Sequence, residues 1–240
     1  MASSKAALKQ HLPLRSTERL ERGRQAAPQV FERLREAILS LELTPGTTLS
    51  RTTLAGQFGV SSTPIRDALM RLEEEGLVDV FPQHATVVSP IDLTLAHQAH
   101  FLRRSLELEI VRSLALKPDP RLIARLKGIL AQQQALMEAN DLQAFEVADQ
   151  DFHRHLYEAA QMQDLWQLVR SRSGHIDRLR RLNLPTPGKI ESILRHHRLI
   201  VEAIADGKPG DAQQHLRDHL SGTLSHVDEI SARYPGYVRK

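Results

Sequence analysis

The stretch GVSSTPIRDALMRLEEEGLVDVFPQHATVV, residues 59–88, holds one helix pattern with clear punctuation and two short alternating runs behind it. Ile65, Ala68, Leu69 and Leu72 follow at i, i+3, i+4 and i+7, so a helix through them buries a single stripe. Ser62, Thr63, Arg66 and Met70 then look outward near the helix start. Thr63 or Ser62 is expected to accept the first free amide, and Pro64 stands where its missing N–H costs nothing. Gly76 closes the helix. Val78/Val80 and Thr86/Val88, separated by FPQHA, predict a small hairpin.

Upstream, Val30, Leu34, Ile38 and Leu41 recur at helical spacing, and TPG at 44–46 supplies a stop, which predicts a helix over 28–42. A second, short helix is expected over 51–58, burying Leu54, Ala55 and Phe58, with Gly59 as its left-handed terminator. Three helices, a tight turn between the last two, and then a hairpin are the order of a winged helix-turn-helix. In that arrangement the third helix enters a DNA major groove end-on. A small helical domain for protein contacts fits the same pattern.

The chain has 240 residues, enough for two modest domains, with 41% apolar and 25% charged residues. No apolar run approaches the roughly 18 residues of a membrane span, so no membrane partner is expected. Cysteine is absent, which excludes disulfides and thiolate chemistry. Residues 1–25 lack the apolar core of a secretory signal, and the expected localisation is cytoplasmic. They read as a basic, flexible arm. Residues 1–30 carry six Lys/Arg against two Asp/Glu, whereas residues 31–92 carry five against nine. Bulk charge therefore does not direct the second segment to nucleic acid. A few arginines on one face, with the arm, would have to do so.

After SPID at 89–92 the texture is helical to residue 230, with breaks at KPDP (117–120), AND (139–141), PTPG (185–188) and DGKPG (206–210). Six helices are expected, over 93–116, 119–138, 141–160, 163–183, 188–206 and 209–230. The fold class is mostly α: a winged helix-turn-helix over 26–90, an all-α bundle over 93–230, and a tail over 231–240.

With these elements placed, the N-terminal third resembles the GntR family of bacterial transcription regulators, and the helical remainder resembles its FadR-type FCD effector domain. The segment LAGQFGVSSTPIRDALMRLEEEGLV is similar to the family's helix-turn-helix signature nearly position by position. The resemblance implies a homodimer on a pseudo-palindromic double-stranded DNA operator, with a small-molecule ligand in each bundle altering DNA affinity. It implies DNA contacts at Arg35, Arg51, Ser62, Thr63 and Arg66, and at the wing near His84. An arginine such as Arg66 can fork onto guanine or clamp a phosphate. Arg35 has a competing use as an intrahelical partner of Glu32 or Glu36. The chain departs from the family in carrying Ser62 where arginine is usual and Ala85 where glycine is usual at the wing tip.

The bundle also contains ADQDFHRHLYEAA, LRHHRLIVEAI and AQQHLRDHL. Asp149 and His153, four apart, share one helix face, and His197 and His219 lie on the last two expected helices, which a short turn makes neighbours. Twelve histidines make chance spacings common, so these residues alone leave the site open. The resemblance adds that many FCD domains bind a divalent metal through one Asp and three His, at positions matching Asp149, His153, His197 and His219. His155, His196 and His215 are expected to face elsewhere. Such a donor set leaves coordination open for water or a carboxylate effector, and admits Zn, Ni or Mn. Arg103, matching a family arginine, is the expected partner of the carboxylate, with a salt bridge to Glu107 as its alternative use.

The functional expectation is a ligand-responsive regulator and not an enzyme. Its alternatives are a regulator that senses the metal itself, and a metal-dependent hydrolase. Against the hydrolase stands the lack of HExxH or any comparable acid beside the ligands.

Overall fold

Val30, Leu34 and Ile38, all fully buried, form the inner stripe of helix α1 (Ala26–Leu39), the first regular element of the computed structural model. Residues 20, 21, 23–81 and 85–239 are described. They divide into two units, one running to Ile91 and including Gly236–Arg239, the other covering Asp92–Pro235.

In the first unit α1 packs on α3 (Ser62–Glu74), and α2 (Arg51–Phe58) closes the other side of α3. Helix α1 stops at Leu39, short of the expected residue 42. Leu41 takes a left-handed φ of 61°, and the amide of Leu43 donates to the carbonyl of Ala37 at 2.9 Å. This reversal sends Leu43 into the core, where it is fully buried. Ile65, Ala68, Leu69 and Leu72 line the buried face of α3, as their spacing requires. Gly59 and Gly76 carry φ of 66° and 71°, and so reverse the chain where a side chain would be strained. The helix begins one residue earlier than its expected cap: Ser61 is the N-cap and makes no side-chain cap bond, while Ser62 and Thr63 lie inside the exposed first turn. Pro64 still falls among the first amides, which have no intrahelical partner.

The hairpin is one part of a three-stranded antiparallel sheet. Strands β1 (Thr48–Leu49), β2 (Val78–Phe81) and β3 (Ala85–Val88) are ordered β1-β3-β2, with Thr48 opposite Val87 and Val78 opposite Val88. The expected tail is also structured. A strand β4 (Ile91–Asp92) pairs with β5 (Val238–Arg239), and the Ile91 amide donates to the Tyr237 carbonyl at 2.7 Å.

The second unit is all helical, with α4 (Leu93–Leu116), α5 (Pro120–Glu138), α6 (Leu142–Ala159), α7 (Gln163–Arg172), α8 (Gly174–Asn183), α9 (Lys189–Ala205), α10 (Pro209–Ser221) and α11 (Val227–Arg233). Three start at aspartates whose side chains accept the free amide of the first turn: Asp92 from Leu95, Asp119 from Arg121 and Asp141 from Ala144. The helix expected over 163–183 is two. Ser173 Oγ donates to the Arg170 carbonyl at 3.0 Å and also bonds Asp177 at 2.6 Å, which bends the chain just before the helix-weak Gly174. The helix expected over 209–230 likewise ends at Ser221, and Gly222-Thr223 leads through a 3-10 turn into α11. Phe152, Leu156, Leu194, Ile200, Ile204 and Leu216 make the core between α6, α9 and α10. Among the described residues no helix is long and apolar enough to cross a membrane.

Candidate functional site

Helix α6 places Asp149 and His153 one turn apart, α9 supplies His197 and α10 supplies His219. His219 Nε2 is 3.1 Å from His153 Nε2 and 3.3 Å from His197 Nε2, and Asp149 Oδ1 is 3.5 Å from His197 Nε2. One donor atom from each of the four lies within 4.8 Å of the others. Asp149, His153 and His197 are buried, and His219 is half-buried.

Two of the imidazoles are oriented from behind. His153 Nδ1 is 2.8 Å from Glu107 Oε2, and His197 Nδ1 is 3.0 Å from Gln133 Oε1. Gln133 Oε1 favours a proton on His197 Nδ1 and leaves its Nε2 as a lone pair aimed at the centre, the arrangement a metal-ligating histidine needs, while the Glu107 carboxylate lies against His153 Nδ1 without an aligned hydrogen bond. Phe152 stacks on His197, with centroids 3.9 Å apart and planes 12° from parallel. The inner oxygen of Asp149, Oδ1, is buried without a hydrogen-bond donor. Converging lone pairs beside a donorless carboxylate oxygen repel one another unless a cation lies among them, so the residues fit a divalent ion.

Protonation states agree with this. Burial, joined by His153 and Arg180, pushes His197 down to about 3 against the pull of Asp149. Burial and its two neighbouring imidazoles hold His219 well below the usual histidine range. Burial and then Arg103 lower His153, against the opposing pull of Glu107. All three rings are thus neutral at physiological pH, as metal ligation requires of a histidine. Burial alone would raise both carboxyls, but the guanidinium of Arg180 keeps Asp149 ionised, and that of Arg103 brings Glu107 down to about 2.

Beside the cluster is a cavity of about 50 Å³, bordered by Asp149 and His219, by Arg103, Arg180 and Lys189, and by an apolar wall that includes Phe145. Arg103 Nε donates to Glu107 Oε1 at 2.7 Å. The salt bridge to Glu107 therefore exists, but it is buried, and Arg103 also lines the cavity. Arg180 donates to the outer oxygen of Asp149 and lies 3.7 Å from Asp177.

In the first unit Arg51, which opens α2, and Ser62, Thr63 and Arg66, at the start of α3, are all exposed. Arg66 touches only its neighbour Asp67, at 3.3 Å, an exposed pair that water readily replaces. Arg35 is placed differently. Its Nε donates to Glu75 Oε2 at 2.6 Å, at the far end of α3. His84 lies outside the described residues.

Residues 98–222 match the FCD domain, and residues 26–88 match the bacterial regulatory proteins of the gntR family. The chain belongs to the GntR family of transcription regulators. An HTH-type transcriptional regulator in an unstable DNA locus of Streptomyces ambofaciens is 34% identical over 213 residues, 89% of each chain. The transcriptional repressor RspR of Escherichia coli K12 is 29% identical over 84% of this chain and 89% of its own. The solved structure of E. coli McbR/YncC shares the fold, with a TM-score of 0.72 at 21% identity over 88% of this chain and 99% of that one. These relatives are regulators and not enzymes, which removes the hydrolase alternative.

In this GntR regulator Glu107, Gln133, Arg180 and Lys189 escaped the sequence reading as members of the site. Glu107 carried one signal, its position four residues after Arg103. Gln133 and Arg180 carried none, because their partners are 64 and 31 residues away.

Proposed function

We propose that this protein is a ligand-responsive transcription regulator that binds a pseudo-palindromic operator as a homodimer, and whose DNA affinity is set by a small carboxylate at a divalent metal in the helical unit. The convergence of three neutral imidazole Nε2 atoms and the donorless Asp149 oxygen, at the edge of a cavity, carries this reading. Asp149, His153, His197 and His219 would hold the ion, with Zn, Ni or Mn compatible with the donors. The ion would supply Lewis-acid attraction for a carboxylate oxygen. The chain's own part is to fix the ligands through Glu107 and Gln133 and to offer Arg103, whose guanidinium reaches the cavity while Glu107 holds Nε.

On the DNA side the exposed start of α3 offers Arg66 to a base edge or phosphate, and Ser62 and Thr63 to phosphate oxygens, with Arg51 alongside. Two such helices in a dimer would read half-sites one helical turn apart.

The deciding experiment is elemental analysis of purified protein, followed by operator titration of metal-loaded and chelated samples with and without small carboxylates. Stoichiometric metal together with an acid-dependent change in operator affinity supports the proposal. Metal that alters DNA affinity with no acid present would instead make the ion the signal.

A further inference from the structure

Lys189 opens α9 and lines the cavity beside the four candidate ligands. The other charged groups of that cavity are matched: Arg103 by Glu107, Arg180 by Asp149, and Glu146 by Arg181. Lys189 alone, among the described residues that line it, is a cation with no anionic partner there. It is half-buried, and burial followed by the repulsion of Arg180 pulls its pKa down, against the weaker attraction of Asp149.

A second residue makes room for it. Gly222 follows α10 with φ −69° and ψ −14°, a conformation open to any residue, so backbone freedom does not account for glycine there. A Cβ built on Gly222 would lie 2.8 Å from Lys189 Nζ. The missing side chain is the space the ammonium occupies. The neighbouring Thr223, buried, also lines the cavity.

We infer that Lys189, with Thr223, selects an effector bearing two anionic groups, a short-chain dicarboxylate, one carboxylate at the metal and Arg103 and the other at Lys189. This rests on the proposed metal-carboxylate site and names the ligand class it takes. With the neighbouring ion pairs closed, the charges left unbalanced are the ion and Lys189, and a dianion meets both. The cavity is small, about 50 Å³, so the chain between the anions must be short. Phe145, Leu184, Ile193 and Leu220 face that chain with hydrocarbon. A carboxylate is preferred over a phosphate as the second anion because one lysine and one hydroxyl are few donors for a phosphate dianion.

The test is calorimetric titration of the metal-loaded full-length protein with butyrate, succinate, glutarate and phosphoglycolate. It is repeated on K189M, which keeps the stem without the charge, and on G222A, which displaces the ammonium while leaving Lys189 in the chain. Succinate or glutarate should bind wild type at least about tenfold more tightly than butyrate, the scale of one charge-assisted hydrogen bond. Both variants should lose that preference and keep the butyrate affinity, with unchanged circular dichroism. If butyrate binds in a metal-dependent way and the diacids bind no better, the metal-carboxylate site stands and the inference about Lys189 falls. The same holds if K189M retains the preference, or if phosphoglycolate outbinds both diacids through Lys189. If no acid binds, the underlying site fails and takes this inference with it.

Discussion

Glu107 stands between Arg103 and His153, its Oε2 2.8 Å from His153 Nδ1 and its Oε1 2.7 Å from Arg103 Nε, with no exposed surface of its own. One carboxylate therefore orients a candidate metal ligand and the arginine expected to face the effector. An apolar environment makes such a shared group costly to lose, since two partners are stranded together.

Replacing Glu107 with glutamine keeps the shape and removes the charge. Metal affinity is expected to fall about 10–100-fold, the usual cost of losing a group that orients a ligating histidine. Competition against a calibrated chelator reads this directly. An unchanged affinity would show that His153 does not depend on Glu107.

Changing His197 to alanine removes a ligand from the buried centre. Metal content after dialysis should drop from stoichiometric to trace, and the wild-type gain in melting temperature on adding metal should vanish. If H197A retains one bound ion per chain, the assignment of the four ligands is wrong.

Arg66 is exposed and its contact with Asp67 is weak, so R66A should fold like wild type, within about 0.5 kcal/mol. Its affinity for an operator recovered by in vitro selection should fall by about 1–3 kcal/mol. A stable variant with undiminished binding would take α3 out of the DNA interface.

Leu72, fully buried on α3, packs into the core that holds the first unit together. L72A is expected to cost about 2–5 kcal/mol and to lower the unfolding midpoint of this unit. Metal binding, proposed for the other unit, should persist through that midpoint. Denaturant titration followed by circular dichroism and metal retention separates the two.

His175 Nδ1 accepts the amide of Asp92 at 2.9 Å and lies 3.0 Å from Arg178. It shares α8 with Arg180, which grips the metal-side Asp149. H175A should bind metal normally but lose much of the effector's influence on operator affinity, a coupling of about 1–3 kcal/mol in such proteins. Operator titrations with and without the bound acid measure it, and full coupling in the variant would exclude this route.

Much of this protein was readable in the chain itself. The apolar stripes at i, i+3, i+4 and i+7 and the glycine stops are local, and local geometry alone decides where they point. That is why α2, α3, α4 and the turn glycines fall where the spacing puts them, and why the exposed Arg66 was identifiable before any coordinates. Asp149 and His153 share a helix face for the same reason. Other features depended on neighbours distant in sequence. Ser173 breaks a helix because its hydroxyl bonds back to the Arg170 carbonyl, and Arg35 reaches Glu75, 40 residues on. Glu107, Gln133 and Lys189 acquire meaning only when packing brings α4, α5, α6, α9 and α10 around one point. A charge or an amide is the same in any sequence, and burial beside a particular partner is what makes it part of a site.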